Sequence, residues 1–125
     1  MPIADDATPE QAAAYEALLA RRAAREPLQH ILGRTYFGPL TLAVGPGVFV
    51  PRPETEVVAQ TAIDAAREAV VAGTVEPVVV DLCTGSGALA LGVADEAPGA
   101  EVTAVELSEL AVAWAARNIE ATGLP

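Results

Sequence analysis

The sequence predicts an α/β fold built on one βαβ unit, with a helix and a β-hairpin ahead of it. Three observations carry that reading. An apolar run, Val78-Val79-Val80, ends in Asp81 and enters the small, turn-prone stretch Cys83-Thr84-Gly85-Ser86-Gly87. A helical pattern from Ala88 to Ala97 follows at once and is stopped by Pro98-Gly99. A second β-branched run, Val102-Thr103-Ala104-Val105, closes on another acid, Glu106. Strand, glycine turn, helix, strand and acid are the parts of a nucleotide-binding βαβ unit, in which glycines admit close backbone approach and the second acid receives ribose hydroxyls. Gly87 and Glu106 lie 19 positions apart, close to the roughly 20 expected for a ribose-binding acid.

The preceding elements read in order. Thr8-Pro9-Glu10-Gln11 is a capping box with proline at the first helical position, and Tyr15, Leu18 and Leu19 follow on one face, so a helix is expected over residues 9–25. Arg21, Arg22 and Arg25 fall in its last turns, where cations complement the helix dipole, and this accounts for them better than a binding patch does. Glu26-Pro27 ends the helix. Glycines and prolines then punctuate an apolar stretch, predicting a hairpin of strands 35–37 and 40–44. The two prolines of Pro51-Arg52-Pro53 make a stiff connection, and Pro53, Glu54 and Glu56 suit the first turn of a helix running to about Ala72. After the βαβ unit, Ser108 and Glu109 open a last helix in which Leu110 and Trp114 share a face, with Gly123 and Pro125 at its end. Trp114 reads as core.

Composition narrows the function classes. A chain of 125 residues, 52% hydrophobic, is the size of one ordinary domain with enough apolar content for a core. Its apolar stretches are broken well before the roughly 18 residues of a membrane span, and Met1-Pro2-Ile3-Ala4-Asp5-Asp6 lacks the basic start of a secretory signal. The expectation is a soluble, cytoplasmic protein with no membrane partner. Cys83 is the single cysteine and His30 the single histidine, which leaves no disulfide, zinc site or metal cluster to propose. The net charge is −10, and the 7 basic residues are all arginines, so direct nucleic-acid binding is not expected as the main function.

The same charge bears on the ligand. Gly85-Ser86-Gly87-Ala88-Leu89-Ala90 satisfies the G-x-G-x-x-G/A dinucleotide pattern. A carboxylate at Asp81, at the exit of the same strand, works against a pyrophosphate held at the helix N-terminus. S-adenosylmethionine has no phosphate and carries a sulfonium and an ammonium, so it suits an acid at each strand end: Asp81 near the ammonium, Glu106 on the ribose diol. The methyl donor is therefore the favoured ligand. A dinucleotide cofactor and a glycine turn serving tightness alone stay open as alternatives.

Taken together, the segments Glu26-Pro27-Leu28-Gln29-His30-Ile31-Leu32-Gly33, Phe49-Val50-Pro51-Arg52-Pro53-Glu54-Thr55-Glu56 and Asp81-Leu82-Cys83-Thr84-Gly85-Ser86-Gly87 resemble the HemK/PrmC family, the glutamine N-methyltransferases of peptide chain release factors. The glycine motif alone points only to a methyltransferase; the Pro-Arg-Pro-Glu-Thr-Glu segment narrows it to this family. The resemblance implies a partial Rossmann-like S-adenosylmethionine-dependent methyltransferase fold, represented by its first βαβ unit. It divides the chain into a remnant of an N-terminal helical domain (1–33), a hairpin and linker (34–53) and the N-terminal half of the methyltransferase domain (54–125). The implied reaction moves a methyl group from S-adenosyl-L-methionine to the side-chain amide of the glutamine in the release factors' Gly-Gly-Gln motif. Carried over by position, the cofactor-binding residues are Asp81, Cys83, Thr84, Gly85, Ser86, Gly87, Glu106 and Arg52. Two positions depart from the family's pattern: Cys83 stands where glycine is common, and Glu106 where aspartate is common, so the longer side chain must bend. The family's Asn-Pro-Pro-Tyr motif, which grips the acceptor amide, has no counterpart in these 125 residues, and no catalytic residue is expected in this chain, which reads as a donor-binding half inactive alone. An oxidoreductase fragment binding NAD(P) and a non-catalytic interaction domain are the competing readings.

Overall fold

The computed structural model describes residues 7–124, so the expectations resting on Met1–Asp6 and on Pro125 lie outside the described residues. In chain order they form α1 (Pro9–Ala23), α2 (Leu28–Leu32), β1 (Arg34–Phe37), β2 (Leu40–Ala43), α3 (Thr55–Val71), β3 (Val78–Leu82), α4 (Ala88–Glu96), β4 (Glu101–Val105) and α5 (Glu109–Thr122).

Helix α1 starts on the expected capping box: the Gln11 amide donates to Thr8 Oγ1 at 3.2 Å, and the Thr8 amide donates to Gln11 Oε1 at 2.9 Å. It stops two residues short of the expected Arg25, which takes a left-handed φ of +67° and lies outside the helix. Arg21 reaches forward instead to the Glu26 carboxylate, with Nε donating at 2.8 Å. No residue of α1 is buried, so the apolar face with Tyr15, Leu18 and Leu19 stays open to solvent. Helix α2 was not foreseen; five residues between Pro27 and a left-handed Gly33 close one short turn that buries Ile31.

Strands β1 and β2 make the expected antiparallel hairpin, with Arg34 opposite Ala43 and Phe37 opposite Leu40. Alternation sends Phe37 and Leu42 into the core. There they meet Ala59, Ile63 and Ala66 on one stripe of α3 and Ala88, Leu91 and Val93 of α4. Gly92 permits that contact, because a Cβ there would sit 3.3 Å from Phe37 Cε1. Helix α3 begins at Thr55, two residues after the expected Pro53; Pro53 and Glu54 form a turn before it, and Glu54 makes no side-chain cap.

Strands β3 and β4 pair in parallel, Val78 opposite Glu101 through Leu82 opposite Val105, with α4 as the crossover. The fold thus contains the expected βαβ unit, preceded by helices and a hairpin. Helix α5 is capped by Ser108, whose Oγ accepts from the Ala111 amide, and ends on left-handed Gly123. Leu110 and Trp114 both face the Gly45–Gly47 turn; a Cβ on Gly45 would fall 2.5 Å from Trp114 Cζ2. Trp114 packs on a second, smaller cluster of Val44, Val48 and Ala111, and its Nε1 donates to the Pro46 carbonyl at 3.1 Å.

Candidate functional site

Parallel pairing places the C-terminal ends of β3 and β4 side by side, and the glycine loop leaves one while Glu106 leaves the other. A cleft of about 670 Å³ opens there, with residues 47–52 and Thr55 as its second wall. That volume lies within the usual range for small-molecule sites.

The loop is a tight, largely left-handed turn. Cys83, Gly85 and Gly87 have φ of +63°, +60° and +83°. The Thr84 amide continues the sheet ladder to the Val105 carbonyl at 3.0 Å, and the Gly87 amide closes a turn on the Thr84 carbonyl at 3.0 Å. Cys83 is a non-glycine residue in a conformation that favours glycine, so its departure from the family's pattern carries backbone strain.

Two carboxylates frame this loop. Asp81 is only 7% exposed, and its Oδ2 accepts from Thr84 Oγ1 at 2.5 Å and from the Ala90 amide at 3.2 Å. Glu106 does bend: Oε2 accepts from the Gly85 amide at 2.9 Å, while Oε1 accepts from the Leu107 and Ser108 amides at 2.9 and 3.0 Å. The amides of Ser108 and Gly85, with Leu107 adding less, hold the Glu106 carboxyl below the usual carboxylate range against a smaller opposing effect of burial. All these donors are neutral. Neither acid has an arginine within ion-pair distance among the described residues, and the only arginine lining the cleft is Arg52. The pocket therefore presents two carboxylates about a glycine turn, neither of them in an ion pair among the described residues. That suits a ligand bearing cationic groups and hydroxyls, and it opposes a pyrophosphate.

Seven of the eight expected site residues line the cleft: Arg52, Asp81, Cys83, Thr84, Gly85, Ser86 and Glu106. Gly87 does not. It caps α4 behind the loop, where a Cβ would meet Leu91 Cδ1 at 3.4 Å and Ala115 at 3.7 Å. The cleft also has an apolar side that motif reading did not single out, formed by Val48, Phe49, Val50, Leu82 and Leu89. Phe49, 89% exposed, stands on the cleft wall with its ring open to solvent. The described residues contain no cluster of metal-ligating side chains.

A family model described as the PrmC N-terminal domain matches residues 4–33, and one described as the methyltransferase small domain matches residues 51–125. A release factor glutamine methyltransferase of Streptomyces coelicolor is 63% identical over 108 residues, 86% of this chain and 37% of the relative. Another, of Bifidobacterium longum, is 51% identical over 115 residues, 92% of this chain and 38% of the relative. A 4-amino-L-phenylalanine/4-methylamino-L-phenylalanine methyltransferase of Streptomyces pristinaespiralis is 45% identical over 103 residues, 82% of this chain and 35% of the relative. The chain thus spans less than two fifths of the length of these relatives.

Proposed function

The chain belongs to the methyltransferase small domain family, and from that premise we propose that its cleft binds S-adenosyl-L-methionine as the donor-binding part of a protein-glutamine N-methyltransferase. The observation that carries the reading is the pair of carboxylates, Asp81 and Glu106, bracketing the glycine loop without a partner cation among the described residues. Asp81 takes the methionine ammonium. Glu106, held ionised by backbone amides, accepts a ribose hydroxyl with the remaining lone pair of Oε2. Loop residues Cys83, Thr84, Gly85 and Ser86 lie against the methionine and ribose portions. Gly87 shapes the loop from behind, and Arg52 flanks the donor on the opposite wall. The bound donor supplies an electrophilic methyl group; this chain's own residues bind and orient it.

The acceptor is the glutamine side-chain amide of the Gly-Gly-Gln motif in peptide chain release factors, methylated in the cytoplasm. Support comes from the names of the Streptomyces coelicolor and Bifidobacterium longum relatives and from the match of the N-terminal residues to the PrmC domain. No helix among the described residues is long and apolar enough to cross a membrane, which accords with that setting. The division into residues 1–33, 34–53 and 54–125 is proposed on the same ground, since the two matched models cover 4–33 and 51–125. The Streptomyces pristinaespiralis relative favours a second acceptor, an arylamine amino acid, because it shares this donor-binding region at 45% identity.

Calorimetric titration tests the donor assignment. S-adenosylmethionine and S-adenosylhomocysteine should bind and NAD should not; heat with NAD alone would sink it. Glu106→Ala should weaken S-adenosylhomocysteine binding about tenfold, and Arg21→Ala, whose guanidinium pairs with Glu26 away from the cleft, should leave it unchanged.

A further inference from the structure

Asn118 is the chain's only asparagine, and it sits on α5 in register with buried Ala111 and Ala115. It is 1% exposed. Its Nδ2 donates to the Ser86 carbonyl at 2.8 Å and to the Ala43 carbonyl at 3.0 Å, while Oδ1 accepts from the Ala43 amide at 2.7 Å. The amide orientation follows from these partners, because a flipped side chain would set its oxygen against two carbonyls. One buried side chain therefore joins three pieces of backbone. Ala43 ends β2 and leads into the wall that carries Val48 to Arg52; Ser86 belongs to the glycine loop; α5 follows directly from Glu106.

We propose that Asn118 is a positioning residue for donor binding, which fixes the distance between the cleft's two walls by clamping the Ser86 carbonyl to the end of the hairpin. The proposal rests on the donor-binding reading above. Asn118 does not line the cleft. Its effect runs through Ser86, whose peptide is fixed on one side by this bond while the Gly87 amide is held by the Thr84 carbonyl. A helix residue that only filled space would need no amide: Ala111 and Ala115 fill theirs with a methyl.

The test compares Asn118→Ala, Asn118→Asp and Ile63→Ala in the 125-residue chain. Asn118→Asp keeps the acceptor for the Ala43 amide but sets an oxygen against the Ser86 and Ala43 carbonyls, so it breaks the clamp with little change of shape. Ile63→Ala truncates the main core at a residue that does not line the cleft and serves as the control for lost stability. Both Asn118 variants should bind S-adenosylhomocysteine about tenfold more weakly than wild type, and Ile63→Ala within about twofold. In the ligand-free protein, the Ser86 carbonyl carbon resonance should shift in both Asn118 variants and stay in place in Ile63→Ala. Should Asn118→Ala fail to fold, Asn118→Asp carries the comparison. Undiminished affinity in a folded Asn118 variant, or an unmoved Ser86 resonance, overturns the clamp. A wild-type chain that binds no S-adenosylhomocysteine instead overturns the donor reading, and the Ser86 resonance still judges whether the clamp exists.

Discussion

At the scale of single residues, the loop's chemistry is set by backbone angles as much as by side chains. Cys83 holds φ at +63° with a Cβ that glycine would lack, a conformation costing roughly 1–2 kcal/mol for an L-residue. Glycine's greater freedom in the unfolded chain offsets about 0.5–1 kcal/mol of that. Cys83→Gly is therefore expected to raise stability by up to about 1.5 kcal/mol in urea unfolding, and a loss of stability would show that the thiol makes a compensating contact. Glu106 gives a second expectation. The Ser108 and Gly85 amides depress its folded-state titration below that of the unfolded chain, so the folded form binds the proton less readily. The stability this contributes is complete above the ordinary carboxylate range and is lost as pH falls through the depressed folded value. Glu106→Gln should flatten the stability curve from about pH 5 downward. Glu26, held low by Arg21, titrates in the same direction, so Glu26→Gln is the proper comparison; it should change the curve less, because a solvent-screened surface pair contributes little.

At the scale of elements, what was legible in the sequence had local punctuation. Helix α1 was marked by its cap, and β3, α4 and β4 were each bounded by an acid, a glycine or a proline, so their places were readable before any packing was known. Helix α2 was not readable, since five residues cannot display a period, and the early end of α1 depends on the left-handed turn at Arg25. Burial is a tertiary property. Tyr15, Leu18 and Leu19 have helical spacing yet none of them is buried, while the Asn118 contacts join positions 32 and 75 residues apart. The acids of the site were legible from their places at the ends of two strands; the apolar wall with Phe49 required the fold. Because α1 buries no residue, Thr8→Ala should act locally. Loss of the cap costs the helix about 0.5–2 kcal/mol and should speed hydrogen exchange at Gln11, the amide that donates to Thr8 Oγ1, while the midpoint of global unfolding stays fixed. A shifted midpoint would show that α1 is part of the cooperative core.

At the scale of the whole molecule, two features act against each other: an apolar sheet face and a large net charge. Val78, Val80, Leu82 and Val105 are exposed on the paired strands, a surface that invites association through faces and edges, while the net charge of −10 keeps copies apart. The 125-residue chain should therefore sediment as a monomer at low ionic strength and associate as salt screens the repulsion, and Val80→Glu should keep it monomeric throughout. Turnover is a separate matter from donor binding, because an amide nitrogen, its lone pair delocalised, is a poor nucleophile. Methyl transfer to it requires alignment with the sulfonium carbon, and such alignment supplies roughly 7–11 kcal/mol of barrier reduction in well-oriented systems. In the proposed site Asp81 and Glu106 are both engaged with the donor, and the Asn-Pro-Pro-Tyr motif that the resemblance assigns to the acceptor does not occur in these residues. The 125-residue chain is accordingly expected to bind S-adenosylmethionine yet leave a release factor unmethylated, and a complementing polypeptide carrying the acceptor motif should restore transfer. Radiolabelled donor with the release factor as acceptor decides this: label on the Gly-Gly-Gln glutamine with the 125 residues alone would place acceptor alignment within the cleft already described.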